Sequence, residues 1–132
     1  GGYRRPEFLP KWMEYRERPS RNELNMLYND SAVYLCTSLI EGWHLPPAEA
    51  MASGCALVST DIGGVRDYAL HQQTALLADP YDDDLLLHSL DRMLSNPALR
   101  AKTVLAGQAI LRRHTWSAST DQFERWLTKD LV

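Results

Sequence analysis

Between residues 32 and 78 the chain alternates short, largely apolar runs with stretches built to turn or coil. Ala32–Cys36 (AVYLC), Ala56–Thr60 (ALVST) and Ala75–Ala78 (ALLA) are such runs. They lack the alternation of a half-exposed strand: AVYLC predicts a strand buried on both faces, ALVST another of that type and ALLA a third strand. Pro46–Ser53 predicts a helix, with prolines suited to its first turn and Gly54 as its stop. Gly63–Gly64 opens a short helical turn through Tyr68. Asp82–Ser95 places Leu86, Leu87, Leu90, Met93 and Leu94 on one helical face. Asn96 caps a further helix that starts at Pro97 and is expected to run to about His114. A last helix follows Trp116, with Phe123, Trp126 and Leu127 as its apolar stripe. Near the start, Arg21–Tyr28 predicts a short helix closed by Asn29–Asp30, and Met13–Arg16 at most an edge strand.

Strand, helix, strand, helix, strand, helix implies parallel strands joined by right-handed crossovers. The expected class is α/β, a partial Rossmann-like, doubly wound parallel sheet followed by C-terminal helices. The expected division is an irregular segment over 1–21, a Rossmann-like domain over 22–114 and a C-terminal helix over 115–132. There is no internal repeat and no low-complexity tract. In such sheets ligands bind at the carboxyl ends of the strands. The loops after Cys36, Thr60 and Ala78 therefore hold the candidate chemistry.

Composition changes this picture little. The 132 residues are 45% apolar and 23% charged, enough for one compact core. A formal net charge of -3 argues against a nucleic-acid partner. The charge is uneven, because residues 1–21 carry six basic and three acidic side chains. The favoured reading of that end is a solvated surface; the sharper one is a surface for an anionic ligand or membrane headgroup. Cys36 and Cys55 read as small buried apolar groups in a reducing compartment, so a cytoplasmic protein is expected. No signal peptide and no apolar run near 20 residues is apparent.

The first strand-end loop reads EGWHLPPAEA, Glu41 to Ala50. A helix starting at Pro46 or Pro47 would aim free N–H groups and its positive end into the loop, which suits a phosphate. Gly42 allows close backbone approach. Glu41 lies before the loop and Glu49 is expected in the first helical turn. Beside an anion, a carboxylate serves best as a hydrogen-bond acceptor for hydroxyls, as with ribose diols in dinucleotide folds. Without a ligand, Glu49 would gain about 0.3–1 kcal/mol from the helix dipole, and Glu41 would be a solvated acid. His71, His88 and His114 lack metal spacing or a paired nucleophile. Asp82–Asp84 read as cap and dipole partners, and Ser38 as a strand-end hydrogen bonder; no metal is expected.

Residues 24–96 resemble the C-terminal half of GT4-type retaining glycosyltransferases of the GT-B fold. The resemblance rests on Ser38, Glu41, Gly42, Trp43, Leu45, Pro46, Glu49, Ala50, Met51, Ala52, Gly54, Gly63, Gly64 and Asp67 in their spacing. It implies that Glu41 is the catalytic-site acid facing the donor sugar and that Glu49 meets the ribose of a nucleoside-diphosphate sugar. It implies donor contacts from Gly42, Trp43, His44, Leu45, Gly63 and Gly64. The implied reaction is hexosyl transfer to a glycan or lipid-linked acceptor hydroxyl, without cofactor or metal, in glycan or polysaccharide biosynthesis. The implied place for the whole protein is the cytoplasm or the inner membrane face.

Two departures stand out. His44 occupies a position where the family often has glycine; it either bonds a phosphate or sugar hydroxyl or packs on the loop. The strand, glycine-rich turn and Arg/Lys pair that grip the diphosphate are not evident before Glu41, and Arg5 and Lys11 imitate that pair only superficially. The expectation is therefore a chain truncated at its N-terminal end, inactive alone. A glycoside hydrolase and a sugar epimerase or phosphorylase are rivals within enzymes. A non-catalytic nucleotide-sugar-binding or self-associating module is the rival outside them.

Overall fold

The computed structural model describes residues 4–129. Three parallel strands form the sheet: β1 (Val33–Cys36), β2 (Ala56–Thr60) and β3 (Ala75–Ala78), in the order β1-β2-β3. Val33 pairs with Ala56, and Leu57 with Ala75, so all three carboxyl ends lie along one rim. Helices α1 (Arg21–Asp30), α2 (Leu45–Ala52), α3 (Asp83–Ser95), α4 (Pro97–Leu111) and α5 (Trp116–Lys129) complete the chain, with a 3-10 turn over Gly63–Asp67. The α/β class and parallel strands are those the sequence predicts.

Alternation along β2 separates two apolar layers. Leu57 faces Met51, Val65, Tyr68 and Leu77, the layer under α2. Val58 faces Leu76, Leu86 and Met93, the layer under α3. Each such side chain contributes about 1.5–3 kcal/mol by leaving water. Helix α4 spans both, with Leu99 and Val104 on the second layer and Ile110 and Leu111 on the first.

Local signals account for the helix ends. Ser20 accepts from the Glu23 amide at 3.3 Å, and the Glu23 carboxylate accepts from the Ser20 amide at 2.8 Å, a closed capping box. Asp82 and Asn96 cap α3 and α4 through the Leu85 and Leu99 amides. Helix α2 ends at Gly54, whose φ of 102° suits glycine alone. The Gly54 amide donates to Met51 and the Cys55 amide to Ala50, satisfying two terminal carbonyls.

Several expectations are corrected. Met13–Arg16 forms no strand; the segment is held instead by Arg5, whose guanidinium donates to the carbonyls of Leu9, Pro10 and Met13. Strand β1 is an edge strand with Leu35 39% exposed, not one buried on both faces. Helix α4 stops at Leu111, short of His114, and α1 absorbs Asn29 and Asp30. Helix α5 forms, and none of its residues is buried, so its Phe123, Trp126 and Leu127 stripe lies exposed among the described residues.

Candidate functional site

The loop after β1 does not open into α2 as the proline pattern suggests. Helix α2 starts at Leu45, one residue before Pro46. Its N-cap is His44, at φ 54° and ψ 80°, with no side-chain cap. A left-handed conformation costs an ordinary residue about 1–2 kcal/mol. Of the four amides that open a helix, two are here prolines without N–H groups. Only His44 and Leu45 have a hydrogen to offer. The anion-binding capacity of this end is narrower than expected, and it depends on the loop as much as on the helix. Glu49 is the fifth helical residue, beyond the first turn, so the dipole does not account for it.

Three contacts hold the loop in place. The Tyr68 hydroxyl donates to the His44 carbonyl at 2.8 Å. The Trp43 ring meets Tyr68 edge-on at 5.0 Å and His114 at 5.7 Å, joining the loop to the 3-10 turn and to the segment after α4. Gly64 lies against Gly42, so closely that a Cβ on Gly64 would overlap the Gly42 carbonyl and stand 3.0 Å from the Trp43 Cα. Gly63 has open space where its Cβ would be. The second strand-end loop is thereby pressed against the first. It is stiffened by Arg66, whose guanidinium donates to both oxygens of Asp61 at 2.8 and 3.1 Å, an interaction that raises the arginine above its usual value.

Glu41 and Glu49 have separate surroundings. Glu41 accepts from the Ser38 hydroxyl at 3.3 Å through Oε1, and the His44 Nε2 stands 3.8 Å from the same oxygen. His44 Nδ1 lies 3.6 Å from the Cys36 Sγ. Glu49 is exposed and accepts from the Tyr28 hydroxyl at 3.4 Å. It lines a cleft of about 440 Å³ between α1 and α2, with Arg21, Asn25, Tyr28 and Ser53. Burial, reinforced by Tyr34 and then by the Glu49 carboxylate, pushes the Tyr28 hydroxyl well above its usual range. Leu45 is 62% exposed at the first helical position. On the other side of the loop, Trp43, Asp67, His114 and Trp116 border a cleft of about 620 Å³.

The structure thus brings Glu41, Gly42, Trp43, His44, Leu45 and Gly64 together, with Gly63 at the margin and Glu49 in the cleft between α1 and α2. Sequence reading missed Tyr28 and Tyr68, whose hydroxyls act 21 and 24 residues away. Each is an aromatic with a polar tip near an element's end, which is the signal available. Among the described residues no cluster of His, Cys, Asp or Glu could hold a metal, and no helix is long and apolar enough to cross a membrane.

The model of the family "Glycosyl transferases group 1" matches residues 13–109. The chain belongs to the group 1 glycosyl transferases. It is 28% identical over 118 residues to the human alpha-1,3/1,6-mannosyltransferase ALG2, covering 89% of this chain and 28% of that protein. It is 33% identical over 89 residues to a phosphatidyl-myo-inositol mannosyltransferase of Mycobacterium tuberculosis (strain ATCC 25618 / H37Rv), covering 64% of this chain and 24% of the relative. The chain therefore spans about a quarter of the length of these relatives. Among solved structures it is similar to the C-terminal domain of the group 1 family protein LpcC from Francisella tularensis, with a TM-score of 0.66 and 28% identity over 72% of this chain and 49% of that one. A sucrose-phosphate synthase from Thermosynechococcus elongatus shares the fold, with a TM-score of 0.77 and 24% identity over 89% of this chain and 30% of that one.

Proposed function

We propose that these residues form the donor side of a retaining glycosyltransferase that takes a nucleoside-diphosphate sugar. The observation that carries the reading is the division of labour around α2. One acid, Glu41, sits in the strand-end loop pressed onto Gly64, and the other, Glu49, lines the cleft against α1. Glu49 accepts the ribose hydroxyls in that cleft. Glu41 accepts a sugar hydroxyl near the anomeric carbon. The amides of Gly42, Trp43, His44 and Leu45 lie between them and meet the diphosphate, while Gly63 and Gly64 form the facing wall.

In the whole protein the bond from the anomeric carbon to the diphosphate breaks, one to the acceptor oxygen forms on the same face, and the acceptor's proton passes to the departing diphosphate oxygen. Charge develops on the leaving diphosphate and oxocarbenium character on the sugar. Fixed loop amides would stabilise the first. The acceptor is a glycan or lipid-linked hydroxyl, no metal takes part, and the work is done in the cytoplasm or at the inner membrane face. These 132 residues alone do not turn the donor over.

Titration of the labelled chain with UDP-, GDP-, ADP- and dTDP-sugars, followed by NMR, tests the reading. Shifts confined to residues 41–49, the 61–67 loop and the Glu49 cleft support it. No shift at millimolar ligand, in this chain or in the longer protein, sinks it. The edge position of β1 and the bare apolar face of α5 favour one second reading, a self-associating module. Concentration-dependent size-exclusion without donor shifts would select it.

A further inference from the structure

His44 combines a strained backbone with a nearly enclosed side chain. Its φ of 54° is one that glycine would adopt freely, yet the chain carries an imidazole there with 12% of its surface exposed. Strain of this kind persists only where the surroundings hold it. Here three groups do so: Tyr68 on the His44 carbonyl, Cys36 at Nδ1 and Glu41 opposite Nε2.

The order of these groups along the ring has a chemical consequence. Cys36 is buried and its thiol is a hydrogen donor. The 3.6 Å contact accommodates either tautomer; with the thiol donating to Nδ1, a neutral imidazole carries its hydrogen on Nε2. That hydrogen then faces Glu41 Oε1, the oxygen that already accepts from Ser38. Oε1 thus faces both the Ser38 hydroxyl and Nε2, and Oε2 is left to meet a ligand hydroxyl.

We propose that His44 is a positioning residue: Cys36 fixes its tautomer, and its Nε2–H orients the Glu41 carboxylate toward the bound sugar. The last step rests on the donor-site reading above; the first two do not. At 3.8 Å the contact between Nε2 and Oε1 is electrostatic rather than a hydrogen bond.

Two-bond nitrogen–proton NMR correlations on the labelled chain read the tautomer directly. The Nε2–H form is expected in the parent sequence and in Cys36→Ser, which keeps a donor, and a mixture in Cys36→Ala. The side-chain carboxyl resonance of Glu41 should move in His44→Gly and stay near its original place in His44→Gln, whose amide can still donate. His44→Gly removes the backbone strain, so it folds, and its unfolding midpoint checks that. In donor titrations it should bind about fivefold more weakly, the equivalent of one net hydrogen bond, with His44→Gln intermediate. An Nδ1–H tautomer in the parent chain, or a Glu41 resonance indifferent to His44→Gly, overturns the proposal. The expected tautomer and carboxyl response with no donor binding at all establishes the relay and overturns the donor-site reading instead.

Discussion

The backbone of Gly64 lies against the carbonyl of Gly42, with no room between them for a methyl group. Two strand-end loops 22 residues apart are thereby joined at a point where only glycine fits. Gly63 next to it faces open space. The pair of glycines is therefore one required residue and one permissive one.

Gly64→Ala should separate the loops at a stability cost of about 1–3 kcal/mol, as for other overpacked positions. Gly63→Ala should fall within about 0.5 kcal/mol of the parent. Urea unfolding of the two variants checks the contrast. Equal costs would mean that the loops are not held at Gly64.

Removing the Tyr68 hydroxyl should loosen the His44 end of the loop without disturbing the core around the ring. Tyr68→Phe is expected to cost about 0.5–1.5 kcal/mol. Amide hydrogen exchange should rise at Trp43 to Leu45 and stay unchanged in β2. Uniform protection would show that the hydroxyl does not anchor the loop.

Alkaline pH should destabilise the fold. Burial raises Tyr28, Tyr34 and Tyr68 from their ordinary value of 10.0 and Cys55 from 9.0. The folded state therefore holds these protons more tightly than the unfolded chain. Their contribution is complete below the ordinary values and is lost as pH rises toward the folded ones. Each tyrosine adds a slope of about 1.4 kcal/mol per pH unit above roughly pH 10. Urea midpoints measured from about pH 9 upward check this. A Tyr28→Phe, Tyr68→Phe chain should show a shallower decline.

What could be read in advance was whatever local chemistry decides. The runs at β2 and β3, the caps at Asp82 and Asn96 and the stop at Gly54 each depend on a few adjacent residues. The edge position of β1 does not, because a run such as AVYLC carries no information on its neighbours in the sheet. The start of α2 was misplaced for a related reason. His44 is left-handed at a point where Cys36 and Tyr68 contact it from elsewhere in the fold. At the site, the motif named the acids but not their supports. Tyr28 and Tyr68 reach Glu49 and His44 across 21 and 24 residues, beyond any local pattern. Helix α5 was legible as an amphipathic stripe, yet nothing in the described residues covers it.

The central claim is that Glu49 serves the nucleoside end of a donor and Glu41 its sugar. Calorimetric titration of the parent chain, Glu41→Gln and Glu49→Gln, each with a nucleoside diphosphate and with its sugar conjugate, tests it most directly. The account predicts that Glu49→Gln weakens both ligands about equally, whereas Glu41→Gln leaves the bare diphosphate unchanged and removes the added affinity of the sugar. Binding in which the two variants lose the same ligand to the same extent, or in which neither carboxylate matters, would contradict it.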